Sequence, residues 1–215
     1  MRFSVPTIIL SLCAVLAPAS PLPGPDTLPS AANIDLTKVY IEGMTYAGSG
    51  CKAGSVAISH RQDFSVFTLS FDDFVVSIGP GTPFHYRRKN CNLNVKLHYP
   101  PGYQYTLYQA DYTDTANLEK GVSATQESQY WFAGETPRAT LRTKWSGPFS
   151  DNFNIRDTLV HDAWVWSPCG ASTTLNINTQ VYLDNTGYPQ ASGYITTDVI
   201  DHKVKTLYGI SWKRC

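Results

Sequence analysis

Apolar and polar residues alternating at a strict period of two are the feature that most limits what this chain can fold into. Across residues 92–99, Leu93, Val95 and Leu97 fall on one side, while Asn94, Lys96 and His98 fall on the other. Leu175, Ile177, Thr179, Val181 and Leu183 repeat the pattern across residues 174–183. A strand points successive side chains to opposite faces, so both segments read as strands with one buried face. Residues 67–71, 103–112, 139–145, 158–166, 191–197 and 207–212 read as further strands, rich in β-branched and aromatic residues and bounded by Gly, Pro, Asn and Asp. Helical periodicity is missing, and residues 115–120 offer at most one helical turn before Gly121 and Val122. The expectation is an all-β fold: an antiparallel β-sandwich, jelly-roll-like, with little helix. No repeat of fixed period supports a propeller or solenoid.

Residues 1–19 carry one basic residue, Arg2, then an apolar run through Ile8, Leu10, Leu12 and Leu16, and end Ala17-Pro18-Ala19. This is the pattern of a secretory signal peptide cut near Ala19 or Ser20. The run is shorter than the roughly 20 apolar residues that cross a bilayer, and no later segment suggests a membrane anchor. Pro21, Pro23, Pro25 and Pro29 mark residues 20–36 as an extended segment, which leaves 37–215 as a single sandwich domain. Without the leader, 16 basic residues face 17 acidic ones, a balance with no footprint for nucleic acid. The sequence contains no Asn-x-Ser/Thr site for N-linked glycans.

Cys51, Cys91, Cys169 and Cys215 follow the leader, which holds the remaining cysteine, Cys13. An even set in an exported chain reads as two disulfides rather than as thiol chemistry, and no Cys-x-x-Cys pair suggests zinc. Three connectivities are open. The preferred one is local, Cys51 with Cys91 and Cys169 with Cys215, closing loops of about forty to fifty residues worth roughly 4 kcal/mol each.

Around these cysteines stand Gly48-Ser49-Gly50-Cys51, Ile78-Gly79-Pro80-Gly81, Arg87-Arg88-Lys89-Asn90-Cys91, Trp166-Ser167-Pro168-Cys169-Gly170 and Leu175-Asn176-Ile177-Asn178, followed by Trp212 to Cys215. In that order, these words resemble a family of small secreted proteins of filamentous fungi, domain of unknown function 4360, from about Tyr40 to Cys215. The resemblance implies a secreted fungal β-rich domain and supplies no active site.

Catalytic signatures are missing from the residues themselves. There is no Gly-x-Ser-x-Gly elbow, and His60, His85, His98, His161 and His202 lack metal-binding spacing, so no metal and no cofactor is implied. Asp72, Asp73, Asp111, Asp114, Glu127, Asp157 and Asp162 are scattered; a glycosidase would need the fold to bring two of them together. Candidate ligand-binding residues are the aromatics Trp164, Trp166, Tyr103 and Tyr105, which share strand faces in pairs, and the basic Arg87 and Arg88. Core packing competes for the aromatics, and a solvated loop competes for the arginines. The leading expectation is a non-enzymatic extracellular binding or effector-like virulence protein, with a cell-wall glycan or host extracellular protein as partner. A carbohydrate-active enzyme and a structural wall or conidial-surface component are the alternatives.

Overall fold

The structure, a computed structural model, describes residues 34–170, 172–196 and 204–215. The leader and most of the Pro-rich segment lie outside these residues. In chain order the strands are β1 (Tyr40–Ala47), β2 (Val56–His60), β3 (Val66–Phe71), β4 (Val76–Ile78), β5 (Arg88–His98) and β6 (Tyr103–Leu118). They continue with β7 (Ser123–Phe132), β8 (Ala139–Ser146), β9 (Phe149–Thr158), β10 (Thr173–Asp184), β11 (Gly193–Thr196) and β12 (Val204–Arg214). One sheet runs β1-β5-β10-β7-β8 and the other β2-β3-β12-β6-β11-β4, every pairing antiparallel. The long strand β6 pairs with β12 and then β11 along one edge, and with β9 along the other.

Each sheet buries one face against its partner, as the alternation requires. Leu93, Val95, Leu97, Leu175, Ile177, Val181 and Leu183 enter the core from the five-stranded sheet, and Leu69, Tyr105, Leu107, Tyr112, Tyr208 and Trp212 meet them from the other. Fully burying side chains of this size stabilises by about 1.5–3 kcal/mol each. A hydroxyl network crosses the centre. The Tyr208 and Ser128 hydroxyls lie 2.9 Å apart, Ser128 donates to Thr179 at 3.1 Å, and the Gln126 amide reaches the same Thr179 oxygen at 3.3 Å. Burial pushes the Tyr208 phenol up to about 12, so it keeps its proton for this bond.

The sandwich expected from the sequence is the fold observed, with differences at single elements. Residues 158–166 are not a strand. β9 ends at Thr158, and the chain then forms a strap with a 3-10 turn at His161–Ala163. Here the Trp164 indole N–H donates to the Leu159 carbonyl at 3.1 Å, closing a loop that extended backbone cannot make. The strap stays on the β6 edge through Leu159 N–H to Tyr108, Ser167 N–H to Tyr105 and Gly170 N–H to Tyr103. Residues 115–118 are not helical but continue β6, because Ala116 and Leu118 are needed in the core and both edges are paired there.

Both disulfides have the local connectivity, Cys51–Cys91 with Cα atoms 5.5 Å apart and Cys169–Cys215 at 5.9 Å. The flanking motifs have steric reasons. A Cβ on Gly48 would fall 2.1 Å from the Asn90 carbonyl oxygen, so glycine is what lets the two Cys-bearing segments approach. In the Gly79–Thr82 turn, closed by a 3.1 Å backbone bond, Gly81 takes a φ of +76 that favours glycine. Replacing Cys169 and Cys215 together by Ser is expected to remove about 4 kcal/mol of stability by the loop-closure estimate. Urea unfolding monitored by tryptophan fluorescence measures it; a loss below about 1 kcal/mol would contradict the structural role assigned to this bridge.

Candidate functional site

The outer face of the five-stranded sheet carries a lattice of amides. The register sets Asn92, Asn178, Gln129 and Thr140 in one transverse row across β5, β10, β7 and β8. Asn90, Gln180, Glu127 and Arg142 form the next row, and Arg88, Tyr182, Thr125 and Lys144 the one after. Asn94, Asn176 and Trp131 lie on the opposite side of the first row. Period two dictates this placement: the residues between them, such as Leu93, Ile177 and Ser128, are the ones facing the core.

Hydrogen bonds tie the lattice across strands. Arg88 Nε donates to Gln180 Oε1 at 2.9 Å, Gln180 Nε2 to Glu127 Oε1 at 2.8 Å, and Arg142 Nε to Glu127 Oε2 at 2.5 Å. One row over, Asn178 Nδ2 donates to Asn92 Oδ1 at 2.6 Å. The Arg138 guanidinium sits 4.4 Å from the ring centre of Trp131. An open cleft of about 300 Å³ lies over Arg88, Gln180 and Tyr182.

The six residues singled out in the sequence separate into different environments. Arg88 is exposed and belongs to the lattice, whereas Arg87 is half-buried, stacks on Phe84 at 5.2 Å and accepts the Leu183 N–H on its carbonyl. Tyr105 is 0% exposed, packed among Tyr99, Phe132 and Trp212, so it is core and not a platform. Tyr103 shares its face, as expected, but lies half-buried beneath Arg214 at 5.9 Å. Trp164 and Trp166 remain neighbours, with ring centres 5.8 Å apart, although on the strap and not on a strand. Tyr108 and His161 pack against Trp164, and Lys213 covers Trp166 at 3.9 Å. Their rings are tilted by 57°, so they do not make one flat platform.

The lattice residues Asn92, Asn178, Gln180, Glu127, Gln129 and Trp131 were not chosen as site residues from the sequence. Their signal was present in the run of polar residues at alternate positions from Arg88 to His98 and again from Asn176 to Tyr182. Alternation by itself marks such residues only as an outward face.

Among the described residues, the candidate carboxylates are engaged in separate places. Asp73 meets Lys52 at 2.6 Å, Asp111 meets Arg156 at 2.8 Å, and Glu127 is engaged by Arg142 and Gln180. Asp114 is buried, and Asp162 is exposed on the strap turn. Ser172, His98 and Glu42 do come together, with Ser172 Oγ 3.0 Å from His98 Nδ1 and 3.1 Å from Glu42 Oε1. Glu42 lies 3.4 Å from the same nitrogen, Nδ1. A hydrolase relay needs serine and carboxylate on opposite ring nitrogens, so this cluster is no relay. Lys96 also pairs with Glu42 at 2.5 Å.

Residues 37–215 match the family described as domain of unknown function DUF4360. The chain belongs to that family. An uncharacterized secreted protein of Arthroderma benhamiae is 44% identical to this DUF4360 chain over 181 residues, covering 84% of the chain and 74% of the relative. The protein is secreted, and among the described residues no helix is long and apolar enough to cross a membrane. Among solved structures, TmCBM61 in complex with beta-1,4-galactotriose aligns with 81% of the chain and 90% of its own, at 13% identity and a TM-score of 0.26. The enzymatically active domain of bacteriophage CBA120 tailspike protein 4 aligns with 84% of the chain and 20% of its own, at 12% identity and a TM-score of 0.25. TM-scores this low carry no weight for ligand or activity in this DUF4360 member.

Asp157 on β9 is where charge and seam meet. Burial pushes its carboxyl above the usual range, opposed by hydrogen bonds from the Thr143 hydroxyl and the backbone of Thr158 and Arg142. A raised pKa means that the contribution to stability is complete below the unfolded value, near 3.8, and is lost as pH rises through the folded value. Asp157→Asn is therefore expected to gain stability relative to the parent between pH 3 and pH 7. Thermal unfolding of both proteins across that range checks it; a difference that stays constant or shrinks with pH would refute the assignment.

Proposed function

We propose that this secreted protein is a non-catalytic glycan-binding domain acting at a cell wall, and that the outer face of the five-stranded sheet is its binding surface. The transverse amide rows carry the reading. A side-chain amide offers both a carbonyl acceptor and N–H donors in one plane, which suits neighbouring sugar hydroxyls that both give and accept protons. Adjacent strands lie about 4.8 Å apart, so four strands present such groups along an extended chain instead of at one point. Cross-strand hydrogen bonds already hold many of these side chains, which lowers the ordering cost of binding. Trp131 adds an apolar surface beside the rows.

Nothing among the described residues of this face favours the enzyme alternative, since Glu127 spends its oxygens on Arg142 and Gln180. The effector-like role has no feature among the described residues that selects a host protein. Sedimentation with insoluble fungal and plant wall polysaccharides tests the proposal. The parent should pellet with at least one of them, and the Asn178→Ala, Gln180→Ala double variant should bind roughly tenfold more weakly or worse, the loss of one to two hydrogen bonds' worth of affinity. Undiminished binding by that variant, or sugar release by the purified parent protein, would overturn the reading.

A further inference from the structure

The lattice is not electrically neutral, although the whole chain is. Arg88, Lys96, Arg138, Arg142 and Lys144 stand on or beside it, against Glu42, Glu127 and Asp184. Glu42 is taken by Lys96 and Glu127 by Arg142. Arg88, Arg138 and Lys144 make no ion pair within 4 Å among the described residues, although Lys144 lies near enough to Asp184 to help hold its carboxyl below the usual range. Two of these three, Arg88 and Lys144, end the row that also holds Tyr182.

Arg88 is the informative one. Its Nε and one terminal nitrogen donate to the Gln180 oxygen at 2.9 and 2.5 Å, so its partner is a neutral amide and its charge is uncompensated. A guanidinium has five N–H donors, and the bonds to Gln180 leave others unspent. Gln180 is in turn fixed by Glu127, so the guanidinium is held in place without being neutralised. It borders the cleft of about 300 Å³ whose other walls are Gln180 and the half-buried ring of Tyr182. That volume is at the lower end of small-molecule sites. An oriented guanidinium matches a carboxylate, the ring provides an apolar surface for a sugar face, and the amide can meet a hydroxyl.

We infer that this cleft takes the carboxylate-bearing sugar of an acidic polysaccharide, a uronic acid residue, while the amide rows hold its neighbours. This rests on the glycan-binding reading and adds the class of glycan. Polygalacturonate and its fully methyl-esterified form share one backbone and differ in charge, which makes them the deciding probes, with a neutral β-glucan and chitin alongside. Titration calorimetry or affinity electrophoresis should show the acidic polymer bound roughly tenfold or more tightly than its ester, the size of one charge-assisted hydrogen bond. Arg88→Gln should lose that preference, and 1 M salt should weaken the acidic interaction by shortening the screening length to about 3 Å. Arg88 is exposed, so the variant should fold, and near-ultraviolet circular dichroism verifies this.

Equal binding of both polymers, or an acidic preference that survives Arg88→Gln, would overturn the uronate site and leave the glycan-binding surface standing. Binding of the neutral glucan or chitin alone, lost in Asn178→Ala, Gln180→Ala, would have the same meaning. Failure of the parent to bind any of the four would overturn both.

Discussion

Strand β12 lies between β3 and β6, so the centre of the seven-stranded sheet is filled by residues 204–214. β6 in turn is paired along both edges for most of its length, and its inward side chains supply much of the core. The other sheet has the same character, since β10 is inserted between β5 and β7. Both sheets thus depend on pairings between segments far apart in sequence. Such pairings incur loop-closure entropy before they are rewarded, which makes the topology slow to form. The Cys169–Cys215 bridge, beside the first residues of β6 and the end of β12, reduces the freedom of the unfolded chain where this pairing is most distant.

Strands that obey a two-letter code are legible in the sequence alone. β5 and β10 place greasy residues inward and polar ones outward; β10 follows from the sequence to within a residue at each end, whereas β5 starts at Arg88, four residues before the alternating run, in a basic stretch that reads equally as a loop. β7 breaks the code because its inward residues include Gln126 and Ser128, which are buried to build the hydroxyl network with Thr179 and Tyr208. A polar residue satisfied by a partner across the sandwich cannot be told from an exposed one by pattern alone. β9 is obscured differently: it is an edge strand whose inward face includes Asp157. The strap differs for the opposite reason: residues 158–166 have the β-branched and aromatic content of a strand, but the Trp164 indole bonds locally to the Leu159 carbonyl and the segment turns at His161–Ala163.

The candidate site was legible in its parts and illegible as a whole. Sequence shows that Asn92, Asn94, Asn176 and Asn178 point away from the core. It does not show that β10 lies between β5 and β7, and that ordering is what turns separate polar faces into continuous rows. The aromatic candidates show the converse. Tyr105 is attractive by composition and unavailable by packing, while Trp131, unremarked in its polar neighbourhood, reaches the surface beside Arg138.

The strap along β6 has a consequence for the protein among its own copies. An unpaired strand edge is a template onto which another molecule can add a strand. Leu159, Ser167 and Gly170 occupy carbonyls of Tyr108, Tyr105 and Tyr103 that would otherwise face outward beyond the end of β9. On the neighbouring edge, Asp157 accepts from the Arg142 backbone N–H of β8 and adds a charge to the seam. A secreted protein can thereby reach high local concentration outside the cell without templating its own aggregation.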